Sequence, residues 1–136
     1  MDNNTKNKKV TMKDLIAKKL QKEKNQFKVF SIYVESMGGN LEFRKLQEDE
    51  VLDLMKAMVS DDGKKNVDIK EMINEFKKII YNTCELLQNP EIHAEMDIVN
   101  PYDIVTKLFE ITEIVEIGEN IILENGLATK GEEIKN

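Results

Sequence analysis

Residues 27–46 read FKVFSIYVESMGGNLEFRKL, and their alternation decides the fold. Phe30, Ile32 and Val34 fall on one side of a period-two pattern, and Leu41 and Phe43 share that side on the return. Gly38, Gly39 and Asn40 lie between them and tolerate the positive φ that a chain reversal needs. The stretch predicts a β-hairpin with a loop slightly longer than the tightest type. Two strands are marginal alone in water, so the apolar side must lie on helices. The expected fold is therefore α+β and mainly α, with one hairpin on four or five helices and an amphipathic helix at the N-terminal end. The outer edges of the hairpin would stay open to another chain.

Upstream, Thr11 precedes a narrow apolar stripe of Met12, Leu15, Ile16 and Leu20, with Lys13, Lys18, Lys19 and Lys22 around the rest of the cylinder. A helix this short is marginal unless its stripe finds a surface. Downstream, Glu48, Asp49 and Glu50 suit a helix start, followed by a stripe of Val51, Leu54, Met55 and Met58 that Leu52 and Val59 widen. Ser60, Asp61, Asp62 and Gly63 end it. Asp68 and Glu71 stand at capping-box spacing before Ile69, Met72, Ile73, Phe76, Ile79, Ile80 and Leu87, and Asn89 with Pro90 stops that helix. Asn100 and Pro101 start another through Ile104, Val105 and Leu108. The last stripe is Ile111, Ile114, Val115, Gly118, Ile121 and Ile122, closed by Asn125 and Gly126. A bend is expected near residues 110–112, and Gly118 on the buried side suggests a close helix crossing. The organisation expected is a basic leader over residues 1–24, one compact domain over 25–126 with the hairpin at 27–46 and the helical body at 47–126, and a flexible tail over 127–136.

The 136 residues carry a net charge of -6, divided unevenly. Residues 1–28 hold nine Lys against Asp2, Asp14 and Glu23, which is +6 and leaves -12 for the rest. An acidic body repels phosphate, so nucleic acid is not an expected partner. The basic leader suits an acidic partner instead, including the body of a second copy. No apolar run approaches the ~20 residues that span a bilayer, and residues 1–9 lack the apolar core of a secretory signal. The single Cys84 allows no internal disulfide and fits a reducing compartment.

Reactive chemistry is sparse. His93 is the sole histidine, and Glu91, Glu95 and Asp97 around it point to different sides of a helical turn; an exposed histidine in a connecting segment is the expectation. Cys84 reads as a packed thiol. Asp61, Asp62 and Gly63 lack the alternating oxygens of a calcium loop, and Gly38 and Gly39 lack the Lys-Ser/Thr of a phosphate loop. No catalytic, cofactor or metal site is expected, and the chain is read as a binding protein.

Four segments together, TMKDLIAKKLQKEKNQF, VESMGGNLEFRKL, NPYDIVTKLF and EITEIVEIGENIILENG, resemble the XkdN-like tail assembly chaperones of contractile-tailed phages and phage-derived particles of Firmicutes. The resemblance covers residues 11–126. It departs at Glu110, Ile111 and Thr112, where a helix-breaking turn would be expected. It implies a non-enzymatic protein of the host bacterial cytoplasm that binds the tape measure protein, keeps it dispersed, helps tail tube protein assemble around it and is absent from the finished tail. It also implies recruitment of the tube protein through a frameshifted longer product. The competing reading is a small acidic adaptor or regulator that binds one folded partner. The candidate contact residues are Leu15, Ile16, Leu20, Lys18 and Lys19 on the leader and Gly38 and Gly39 on the hairpin, with self-association through the leader as a further expectation.

Overall fold

The computed structural model describes residues 7–58 and 68–127. In chain order the elements are α1 (Met12–Asn25), β1 (Val29–Val34), β2 (Gly39–Arg44), α2 (Glu48–Ala57), α3 (Ile69–Thr83), α4 (Pro90–Glu95), α5 (Asp103–Leu108) and α6 (Ile111–Glu124), with 3₁₀ turns at Glu35–Met37 and Glu85–Gln88. The fold is mainly helical α+β with one antiparallel hairpin. Val59 and the helix stop at residues 60–63 lie outside the described residues, as does the tail from 128 onward.

The hairpin pairs Phe30 with Phe43, Ile32 with Leu41 and Val34 with Gly39. Ile32, Val34, Leu41 and Phe43 are buried, and the Phe30 and Phe43 rings stack with centroids 5.9 Å apart. The reversal itself comes earlier than Gly38, Gly39 and Asn40 suggest. Glu35–Met37 turn, Gly38 closes at φ +65° with its N–H on the Val34 carbonyl (3.0 Å), and Gly39 and Asn40 are already strand.

Behind the hairpin, α3 and α6 form the centre of the body, and the buried residues make one cluster that includes Leu54, Phe76, Ile80, Ile104, Val105, Ile114 and Ile121. At Gly118 the α6 backbone passes so near the Phe76 ring that an added Cβ would fall 2.5 Å from it. Phe109 leaves α5 extended and Glu110 caps α6, its N–H on the Glu113 carboxylate at 3.0 Å, so two helices meet at a sharp bend. The bend sits at Phe109 and Glu110, at the near end of the expected window. The C-terminal end is fastened by Asn125, whose Oδ1 accepts from the Leu46 N–H (3.0 Å) while its Nδ2 donates to the Ile121 carbonyl (2.8 Å). Leu127, expected in the tail, is partly buried against the core.

Helix α3 stops at Thr83 rather than running through Leu87 to Pro90. The Thr83 hydroxyl donates back to the Ile79 carbonyl, and the Gln88 amide donates to the carbonyls of Tyr81 (2.9 Å) and Asn82 (3.1 Å). Side-chain bonds thus satisfy the end that a further turn would have capped. Asn89 and Pro90, expected only to stop a helix, begin α4: the Asn89 side chain accepts from the Glu91 N–H at 2.8 Å and Pro90 takes the first helical position. At Asn100 and Pro101 the same pair makes only a turn, and α5 starts at Asp103. Asp68 caps α3 through the Lys70 and Glu71 N–H groups, without the reciprocal bond of a full box. Ile69 and Ile111, placed on buried stripes by their spacing, stand in the first turns of α3 and α6 and are exposed.

Candidate partner-binding surface

The leader is a well-formed helix with nothing in the core. Thr11 and Asp14 cap it reciprocally: the Asp14 N–H donates to Thr11 Oγ1 (3.2 Å) and the Thr11 N–H donates to Asp14 Oδ2 (2.9 Å). The Thr11 N–H, then its hydroxyl, hold the Asp14 carboxyl below its ordinary range. Yet no residue of α1 is buried, and Met12, Leu15, Ile16 and Leu20 remain 77, 63, 54 and 57% exposed. Lys19 lies within the stripe and pairs with Glu23 at 3.3 Å, whereas Lys18 stands on the far side of the cylinder. Among the described residues the side-chain tie to the body is an exposed ion pair, Lys22 Nζ to Glu48 Oε1 at 3.2 Å. Such a pair contributes little, so the helix is held mainly by its own capping and its link to β1.

The hairpin candidates do not join this surface. Gly38 is exposed and Gly39 is half-buried at the tip of the hairpin, while α1 enters at the opposite end beside Val29. Six residues of strand separate the two, about 20 Å. The sheet holds only β1 and β2, so neither edge is paired with a further strand among the described residues. The Lys45 N–H donates to the Lys28 carbonyl at 3.2 Å, which sets the alternation and turns the backbone groups of Val29, Ser31 and Tyr33 outward from β1. Beside that strand a cleft of about 350 Å³ is lined by Glu35, Ser36, Glu113 and Glu116 over Ile32, Val34 and Ile117. Hydrogen bonds from the Ser36 hydroxyl and the Glu110 N–H hold the Glu113 carboxyl low. Its apolar floor is already buried, so the cleft presents charge rather than an apolar grip.

A surface that the periodicity placed in the core appears on α2. Leu52 is 63% exposed and Met55 53%, and only Leu54 of this helix is fully buried, with Val51 and Met58 partly so. Glu48 lies between the exposed pair, and Lys56, Asp49 and Asp53 follow in turn around the cylinder on the Leu52 side. At the start of α2, Arg44 grips Glu50 through two bonds, Nη1 to Oε1 at 2.8 Å and Nη2 to Oε2 at 2.9 Å, and Glu50 also accepts from the Gln47 N–H at 2.8 Å. Burial alone would raise the Glu50 carboxyl, but the Arg44 and Gln47 hydrogen bonds outweigh it and hold it low.

The reactive side chains occupy structural positions. His93 is in α4 and half-buried, not exposed in a connecting segment: its Nε2 lies 2.7 Å from the Leu87 carbonyl and its ring tilts against Tyr81. Cys84 is fully buried just past the end of α3, and burial pushes its thiol pKa up, away from the reactive thiolate. Among the described residues, no group of three or more His, Cys, Asp or Glu side chains could hold a metal ion. Nor is any described helix long and apolar enough to cross a membrane.

No known family model, curated protein or solved structure matches this chain.

Proposed function

We propose that this protein is a tail assembly chaperone that covers apolar helical segments of a tape measure protein, keeps them dispersed and assists tail tube assembly. The observation that carries the reading is the leader stripe, since Leu15, Ile16 and Leu20 sit exposed on a capped helix that contributes nothing to the core. An amphipathic helix held in this way offers its apolar face to a helical client, and the acidic body, at -12 beyond residue 28, keeps the complex charged. The resemblance in segment order to XkdN-like chaperones supplies the client. Recruitment of the tube protein through a longer product belongs to the same reading, as does a site of action in the host cytoplasm.

The test is co-expression with the cognate tape measure protein. Its soluble fraction should rise several-fold in the presence of the chain and should fall back when Leu15 and Leu20 are replaced by Asp. His93→Ala should leave the rise intact, because the ring makes a structural contact. An unchanged soluble fraction with wild-type chain would refute the chaperone, and stoichiometric capture of a single folded host protein instead would favour an adaptor.

A further inference from the structure

Among the described residues, α1 and α2 each leave an amphipathic face exposed, and their net charges are opposite. Along α1 the stripe of Met12, Leu15, Ile16 and Leu20 is flanked by Lys13 and Lys24 on one side and Lys22 on the other. The helix holds five Lys against Asp14 and Glu23. On α2, Leu52 and Met55 stand exposed among Glu48, Asp49 and Asp53, with Lys56 the sole cation of that helix. The helices are about 21 Å and about 15 Å long, and the exposed apolar pair on α2 fits against the middle of the longer leader stripe. In the same chain Lys22 of α1 pairs with Glu48 of α2, and the stripe upstream of that contact stays exposed.

From this complementarity we infer that α1 of one protomer docks on the exposed face of α2 of a second copy, and that the exchange is reciprocal, giving a two-fold dimer. Two leaders stacked on each other would place ten Lys against four acids and repel. The cleft between β1 and α6 is acidic but offers no exposed apolar floor. The α2 face supplies both halves of the match: Leu52 and Met55 meet the stripe, Glu48 lies between them, and Asp49 and Asp53 line one margin together with Lys56, leaving the face net negative toward the lysines. A two-fold exchange uses both faces of both copies and leaves no open end, so assembly stops at two. The stripe is the one proposed to hold the client, so dimer and client compete for it: the dimer is the form of the protein without a client, and it stands whatever that client is.

Charge reversal on the full-length chain tests it, read by sedimentation equilibrium. Lys13→Glu with Lys22→Glu changes a helix that buries nothing and removes the exposed Lys22–Glu48 pair, and Asp49→Lys with Asp53→Lys changes only exposed positions of α2. Each double variant alone should raise the dimer dissociation constant at least about tenfold, because like charges then face each other at both contacts. Mixed in equal amounts, the two should recover a heterodimer of near wild-type affinity, since each acidic leader meets a basic α2 and each basic leader an acidic one. Raising salt should weaken the wild-type dimer. A wild-type chain that sediments as a monomer at all concentrations overturns the inference, and so does a mixture that fails to re-associate. A dimer that ignores the α2 changes but responds to the α1 changes overturns it in favour of leader-to-leader pairing.

Discussion

An added methyl at Gly118 would fall within 2.5 to 2.8 Å of three Phe76 ring atoms, and the ring is itself buried with little room to turn. Gly118→Ala should therefore destabilise the protein by about 1–3 kcal/mol, measured as a shift in denaturant midpoint at unchanged slope. Gly118→Ala combined with Phe76→Leu should recover part of the loss, because the smaller side chain vacates the contact. The glycine was legible in sequence as a residue on the buried stripe of a helix. Its neighbour was not, since periodicity places a residue on a face but does not say which helix that face meets. The same limit explains Leu52 and Met55. Val51, Leu52, Leu54, Met55, Met58 and Val59 read as a wide core stripe, yet among the described residues α2 packs on the body chiefly along the line of Val51, Leu54 and Met58, so Leu52 and Met55 end outside. They became the most informative apolar residues on the surface for that reason.

At the scale of elements, the start of α2 is set by a titratable grip. The Glu50 carboxyl is held low by Arg44 and the Gln47 N–H against the opposing effect of burial. A carboxyl with a depressed folded value contributes stability that is complete above the unfolded value of ~4.3 and is lost as pH falls through the lower folded value. The melting temperature of wild type should thus exceed that of Glu50→Gln at about pH 6, and the gap should close as the pH is lowered below the ordinary carboxylate range and the wild-type carboxyl takes up its proton. A gap independent of pH would mean that the two bonds to Arg44 matter by geometry alone. The leader makes the opposite kind of element. Its N-cap and stripe were legible from Thr11 and the spacing of Met12, Leu15, Ile16 and Leu20, because local signals alone build it. Removal of residues 1–24 should leave the unfolding free energy of the rest within about 0.5 kcal/mol, as expected where no buried contact is lost. The end of α3 was illegible for the converse reason: Thr83 and Gln88 bond backbone carbonyls through side chains, and no periodicity records that.

Over the whole molecule, charge and apolar exposure are divided in the same place. The hairpin, α3 and α6 hold the core, while the cationic leader stands outside it with its apolar stripe exposed. The α+β class, the hairpin and the leader helix were readable because each rests on a local period. The proposed contact surface was half readable: the exposed stripe of Leu15, Ile16 and Leu20 follows from their spacing, whereas the α2 face emerged only once the packing of α2 was known. The residues proposed to meet a client are thus separable from those that hold the fold. That separation is open to direct measurement by giving Leu15→Asp, Leu20→Asp chain and wild type the same two tests, urea unfolding and co-purification with the tape measure protein. The account predicts unfolding midpoints that coincide and a co-purified yield at least about tenfold lower for the variant, the scale expected when anchor side chains are lost from an interface. A variant that unfolds at markedly lower urea, or one that retains the client in full, would contradict it.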